Sequence, residues 1–119
     1  SVLSLADRGA IEEPAQERGL DVRVLPLDVT RPGDIEAAVG AIVRETGGID
    51  ALVNNAGTRL RGCFEDLEDA EIRRLFDTNL YGTMAVTRAV LPHMRRVGRG
   101  RIVMMTSVGG PIGSFQIVR

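Results

Sequence analysis

Ile49-Asp50-Ala51-Leu52-Val53-Asn54-Asn55-Ala56-Gly57 is an apolar run that ends abruptly in a polar, glycine-closed turn. Its length and β-branched content suit a buried strand, and Asn-Asn-Ala-Gly punctuates it as a turn. The stretch directly before it, Ile35, Ala38, Val39, Ile42 and Val43, repeats at the i, i+3, i+4, i+7 spacing of a one-sided helix closed by Gly47-Gly48. A helix delivered straight into a buried strand is half of a βαβ unit, so the fold is read outward from here.

Upstream, Val22 to Leu27 forms a second apolar run that ends in Asp28-Val29-Thr30. Thr30 is placed as the N-cap of the following helix, with Pro32 in its first turn and Asp34 and Glu36 at its positive end. Before that lie a short apolar run, Val2 to Leu5, ending at Ala6-Asp7-Arg8, and a helix-compatible segment, Ala10 to Arg18. Gly19 closes the segment as a C′ residue, against the interior Pro14. Downstream, a loop from Thr58 to about Asp66 leads to the longest helical pattern, Ile72, Leu75, Phe76, Leu80, Val86, Val90 and Met94. Gly82 and Pro92 fall inside it, which predicts a kink or two segments. After Gly98 and Gly100, Ile102 to Met105 forms a fourth strand that ends in Thr106-Ser107.

Strands alternating with helices imply an α/β fold with a doubly wound parallel sheet, and the unbroken apolar runs imply burial on both faces. At 119 residues the chain is at most one domain, residues 1–119. No stretch of about 18 apolar residues is present, so no membrane span is expected. The first residues show no basic stretch leading into a signal core. A single cysteine, Cys63, leaves no internal disulfide and suits a cytoplasmic location. A net charge of -1 gives no general attraction to nucleic acid or to anionic membrane. All fifteen basic residues are arginine, and the absence of lysine removes any chemistry that requires an ammonium.

In open α/β sheets, ligands sit beyond the carboxyl ends of the strands. That rule singles out Asp7, Asp28, the Asn54–Gly57 turn and Thr106-Ser107, although Asp, Asn, Ser and Gly are also ordinary turn formers. His93 and Cys63 stand alone and form no metal or nucleophile set. The arginine run from Arg95 to Arg101 reads as a solvated helix end, where cations favour the C-terminal dipole.

At these residues the chain resembles the short-chain dehydrogenase/reductase family of the classical type. Leu52-Val53-Asn54-Asn55-Ala56-Gly57 is similar to the family's Asn-Asn-Ala-Gly motif, and Leu27-Asp28-Val29-Thr30 to its adenine-contacting aspartate segment. Asp77-Thr78-Asn79-Leu80-Tyr81-Gly82 matches the segment carrying its helix asparagine, and Ile102-Val103-Met104-Met105-Thr106-Ser107 the strand delivering its serine. Order and gaps agree over essentially the whole chain. The resemblance implies a Rossmann-like fold, incomplete here, spanning the second to fifth strands. It further implies an oxidoreductase that passes a hydride between NAD or NADP and a small-molecule alcohol or ketone, homo-oligomeric when complete.

Carried over residue by residue, the resemblance makes Ser107 and Asn79 catalytic. Ser107 bonds the substrate oxygen, and Asn79 anchors a water in a proton relay. Asn79 shares the apolar stripe with Leu75, Phe76 and Leu80, so its amide is expected to be buried and hydrogen-bonded, if only to neighbouring backbone. Asp7, Asp28, Val29, Asn54, Ala56 and Gly57 would bind the cofactor. Asp7 would take the adenosine ribose hydroxyls and so favour NAD, whereas Arg8 beside it suits a 2′-phosphate. Gly57 also has a reading as a permissive φ at a tight turn.

Two family elements lie outside the sequence: the Gly-rich turn of the first strand and the Tyr-x-x-x-Lys motif. Tyr81 is followed four places later by Ala85, and the resemblance puts the family's tyrosine just past Arg119. The 119 residues are therefore expected to be an internal fragment, inactive and marginally stable by themselves, with Val2–Leu5 and Ile49–Val53 each short of a strand partner. The alternative is a non-catalytic truncated remnant that binds a nucleotide or a partner chain.

Overall fold

The computed structural model describes residues 9–107. The Val2–Leu5 strand and Asp7 expected from the sequence lie outside the described residues. The elements run α1 (Gly9–Glu17), α2 (Pro32–Thr46), β1 (Ala51–Asn54), a 3-10 turn (Phe64–Asp66), α3 (Asp69–Phe76), a π-helical turn (Asp77–Gly82), α4 (Thr83–Val97) and β2 (Arg101–Met104).

β1 and β2 pair in parallel, with Ala51 opposite Arg101 and Asn54 opposite Met104. The ladder continues past its ends: the Arg101 N–H donates to the Asp50 carbonyl at 2.9 Å and the Met105 N–H to the Asn54 carbonyl at 2.9 Å. Parallel strands need a crossover, and α3, the π turn and α4 supply it. The core lies between α2 and α4. Ile35 and Val39 of α2 meet Val86, Val90 and Met94 of α4, with Leu27, Val29, Ile49 and Leu52 packed around them. Val90 is 2 % exposed and is the centre of this cluster. On both helices these residues recur at steps of four, Ile35 and Val39 on α2 and Val86, Val90 and Met94 on α4, so periodicity and packing agree.

Helix ends follow local chemistry. α2 stops at Gly47 (φ 78°), whose N–H donates to the Val43 carbonyl, and α4 stops at Gly98 (φ 76°), where Arg95 and Arg96 face the negative end of the dipole. Gly19 (φ 64°) closes α1 as expected, and Pro14 is accommodated within that helix. At the start of α3, the Glu71 carboxylate accepts the Glu68 N–H at 3.1 Å.

Val22–Leu27 forms no ladder among the described residues, where Pro26 lacks a ladder donor; the strand expected to pair with it, Val2–Leu5, lies outside them. Three expectations are corrected. The N-cap of α2 is Arg31, not Thr30; Thr30 is drawn back onto Asp28 instead. The strands are not buried on both faces. Val53 is 56 % exposed because α2 and α4 cover only the Leu52 and Asn54 side of β1, and every residue of β2 is exposed, Val103 and Met104 at 45 and 48 %. The long helical pattern does not present one stripe. Phe76 and Leu80 are exposed while Val86, Val90 and Met94 are buried, because the π turn rewinds the column between them. Of the two residues expected to interrupt that pattern, Gly82 ends the π turn, while Pro92 sits inside an unbroken α4.

Candidate functional site at the carboxyl ends of the strands

β1 and β2 are parallel and in register, so the Asn54–Thr58 segment and Thr106-Ser107 leave the sheet at the same edge. Both Thr106 and Ser107 are exposed there. The helical column crosses behind this edge and holds it at three points.

The first point is Asn79. Its Oδ1 accepts the Thr58 N–H at 2.8 Å, and its Nδ2 donates to the Thr58 carbonyl at 2.8 Å. The amide thus imitates a strand neighbour and satisfies both backbone groups of one residue. Asn79 is exposed rather than buried, contrary to the expectation from its stripe; the π turn lifts it out of the α2–α4 core and toward the turn. The backbone bonding anticipated for it is what the structure shows.

The second point is Asn54. Its side chain turns into the helix–sheet interface, where Nδ2 donates to the Thr87 hydroxyl at 3.0 Å and to Met104 Sδ at 3.2 Å. The Asn54 amide is therefore a tie between β1, β2 and α4. The third point is Gly82, buried against Val29. A Cβ at Gly82 would lie 2.6 Å from Val29 Cγ2 and 3.1 Å from the Val29 carbonyl oxygen. Only glycine lets the column approach the Asp28–Thr30 segment this closely. Gly57, by contrast, does not sit in the left-handed region, so a permissive φ is not its reason. A Cβ there would meet Asn79 Oδ1 at 3.4 Å, an ordinary contact.

Asp28 anchors its own loop. Its Oδ1 accepts the Thr30 hydroxyl at 2.7 Å and the Thr30 N–H at 2.9 Å, and Arg31 Nε stands 3.5 Å from Oδ2. The Thr30 hydroxyl, then the Thr30 N–H, hold the Asp28 carboxyl below the usual aspartate range; desolvation opposes them, and the Arg31 guanidinium adds to the lowering. Asp28, Thr30 and Thr58–Leu60 share a cleft of about 430 Å³ with Arg74, Leu75 and Thr78. That volume is within the range of ligand sites. Ala56 is half-buried within the turn.

Three partners escaped the sequence reading: Thr30, Thr58 and Thr87. A threonine two residues after Asp28 was a legible signal, since side chains of this kind bond locally. Nothing in the spacing announced Thr87 or Thr58. Tyr81 and Cys63 are exposed, and His93 contacts Arg96 at 2.6 Å. Among the described residues no group of three His, Cys, Asp or Glu side chains could hold a metal, and no helix is long and apolar enough to cross a membrane.

A parallel sheet, helices delivering polar groups to its carboxyl edge, and a cleft there define an α/β protein of the nucleotide-crevice type. The comparisons give the family. The model of the short chain dehydrogenases matches residues 3–118, and the chain belongs to that family. It is 37 % identical over 105 residues to a 3-ketodihydrosphingosine reductase of Bacteroides thetaiotaomicron, covering 88 % of this chain and 39 % of the relative. Among solved structures, a short-chain dehydrogenase from Streptomyces avermitilis superposes with a TM-score of 0.77 at 34 % identity, covering 86 % of this chain and 38 % of the other. A variant of ElxO with NADPH bound superposes with a TM-score of 0.77 at 28 % identity, covering 91 % of this chain and 44 % of the other. The chain thus spans about two fifths of the length of these relatives.

Proposed function

We propose that this chain forms the central part of an NAD(P)-dependent oxidoreductase that interconverts a small-molecule alcohol and its carbonyl compound. The observation that carries the reading is the convergence, at one sheet edge, of the Asn54–Thr58 turn, the Asp28–Thr30 loop and the end of β2. Family membership supplies the reaction class.

The residues present fit a dinucleotide. The Asp28 carboxylate keeps acceptor capacity on Oδ2, where among the described residues Arg31 Nε stands at 3.5 Å; an exocyclic adenine amine is a matching donor. The cleft beside it accommodates a flat ring. In this reading Asp28 and the Val29 backbone hold the adenine, and Asn54, Ala56 and Gly57 line the adenosine half. Asp7, which lies outside the described residues, has the role that the resemblance implies: it accepts from the ribose hydroxyls and favours NAD over NADP. When bound, the nicotinamide supplies or takes the hydride.

The remaining chemistry falls to side chains. The Ser107 hydroxyl donates to the substrate oxygen and stabilises charge that develops there. Asn79 keeps one amide hydrogen and one oxygen lone pair beyond its two bonds to Thr58, enough to hold a relay water. The resemblance assigns the proton donor and its pKa-lowering lysine to a Tyr-x-x-x-Lys motif that these 119 residues do not contain. A cytoplasmic, homo-oligomeric enzyme is the expected setting.

The test is a pair of measurements on the whole protein. Ser107→Ala lowers kcat by about 10²–10³, as loss of one donor to a developing oxyanion does, while NADH binding stays as in the parent. Equal turnover by the parent and Ser107→Ala removes the assigned role. Tighter binding of NADPH than of NADH removes the role given to Asp7.

A further inference from the structure

The turn that follows β1 is tied at both ends to the same helical column. Asn79, in the π turn, holds Thr58 at 2.8 Å through both amide atoms. Thr87, in α4, takes the Asn54 amide at 3.0 Å. These two column residues are eight positions apart, and in an unbroken α-helix that separation leaves them roughly 80° from alignment. The π turn from Asp77 to Gly82 absorbs an extra residue, so the eight positions behave as about seven and the offset falls toward roughly 20°. π turns of this kind recur at functional sites. Here the turn has a specific consequence: it lets one face of the column reach both Asn54 and Thr58.

We propose that Thr87 is a positioning residue for the Asn54–Thr58 turn, acting through the Asn54 amide, and that the π turn exists to align it with Asn79. This deepens the reading of that turn as the adenosine-binding edge and rests on it for the functional consequence. The Thr87 hydroxyl holds the Asn54 side chain in the helix–sheet interface, beside Met104 of β2. The turn between these two ties is thereby held in one shape at the carboxyl edge of the sheet, and a ligand there meets a preformed surface. Preorganisation of this type raises affinity by removing the ordering cost of the loop.

The test is amide hydrogen exchange resolved by NMR on the full-length protein, its Thr87→Val variant and its Thr87→Ser variant. Valine keeps the shape of threonine and removes the acceptor. Thr87→Val speeds exchange at the Thr58 and Met105 N–H groups roughly fivefold relative to α2, the share of one net hydrogen bond, and Thr87→Ser restores the parent rates. Unchanged rates in Thr87→Val, or equal rates in the two variants, overturn the proposal. Should Thr87→Val not fold, the unsubstituted protein still decides: its Asn54 side-chain amide protons exchange slowly, and rapid exchange there overturns the tie. NADH titration of the same proteins separates the two readings. Binding that weakens in Thr87→Val and recovers in Thr87→Ser supports the positioning role, and equal binding in all three overturns it. Exchange that differs while none of the three binds NADH or NADPH upholds the tie and overturns the dinucleotide reading instead.

Discussion

Replacing Gly82 by alanine tests how closely the helical column approaches the Asp28–Thr30 loop. The added methyl would sit 2.6 Å from Val29 Cγ2, 3.0 Å from Val29 Cβ and 3.1 Å from the Val29 carbonyl oxygen. Carbon atoms at their best separation lie about 3.5–4.0 Å apart, so something must move by about 1 Å. Rotating Val29 gives little relief, since its χ1 is stiff and its own backbone oxygen is among the atoms struck. Overpacking of this kind costs about 1–3 kcal/mol. Because a backbone oxygen is among the atoms struck, the upper part of that range applies, about 2–3 kcal/mol; alanine recovers about 1 kcal/mol over glycine within a helix, which leaves a net loss of about 1–2 kcal/mol. Urea unfolding of the whole protein, followed by circular dichroism, reads this as a midpoint lowered by about 0.5–1 M for a slope near 2 kcal/mol per M. The second arm is Val29→Ala in the Gly82→Ala background. With Cγ2 removed, the double variant is more stable than the sum of the two single effects predicts. A Gly82→Ala protein as stable as its parent would refute the close approach, and with it the way the column is seated on the loop.

Met94→Ala, at the end of the α2–α4 core, lowers stability by about 2–5 kcal/mol through lost burial and a residual cavity, checked by the same unfolding curves. Asn79→Asp keeps the acceptor for the Thr58 N–H but sets a carboxylate against the Thr58 carbonyl. It therefore destabilises at neutral pH and recovers as the pH falls and the new carboxyl protonates, in contrast to the pH-independent loss expected of Asn79→Ala. Asp28→Asn flattens the acid limb of the stability curve. Because the Thr30 donors lower the folded-state pKa of Asp28, its contribution is complete above the unfolded-state pKa and is lost as pH falls through the folded one. An acid limb identical in Asp28→Asn and parent excludes Asp28 as its source.

The order of elements and their ends were legible in the sequence, because both follow from local physics. Apolar spacing gave α2 and the buried face of α4, glycines at positive φ marked the ends of α1, α2 and α4, and the apolar runs before Asn54 and Thr106 gave β1 and β2. The strand-end rule pointed to Asp28, the Asn54–Gly57 turn and Ser107 as candidates without any distance. Val22–Leu27 carries no ladder among the described residues because an apolar run becomes a strand only when a partner completes it, and that is a property of the assembled sheet. What each site residue bonds to was decided by tertiary structure. The wound-out turn at Asp77–Gly82 carries Asn79 from the apolar stripe to Thr58 and brings Thr87 to Asn54. A 3.6-residue pattern cannot announce a place where the period changes, because the extra residue is set by packing against Val29 and the turn rather than by any residue's own preference.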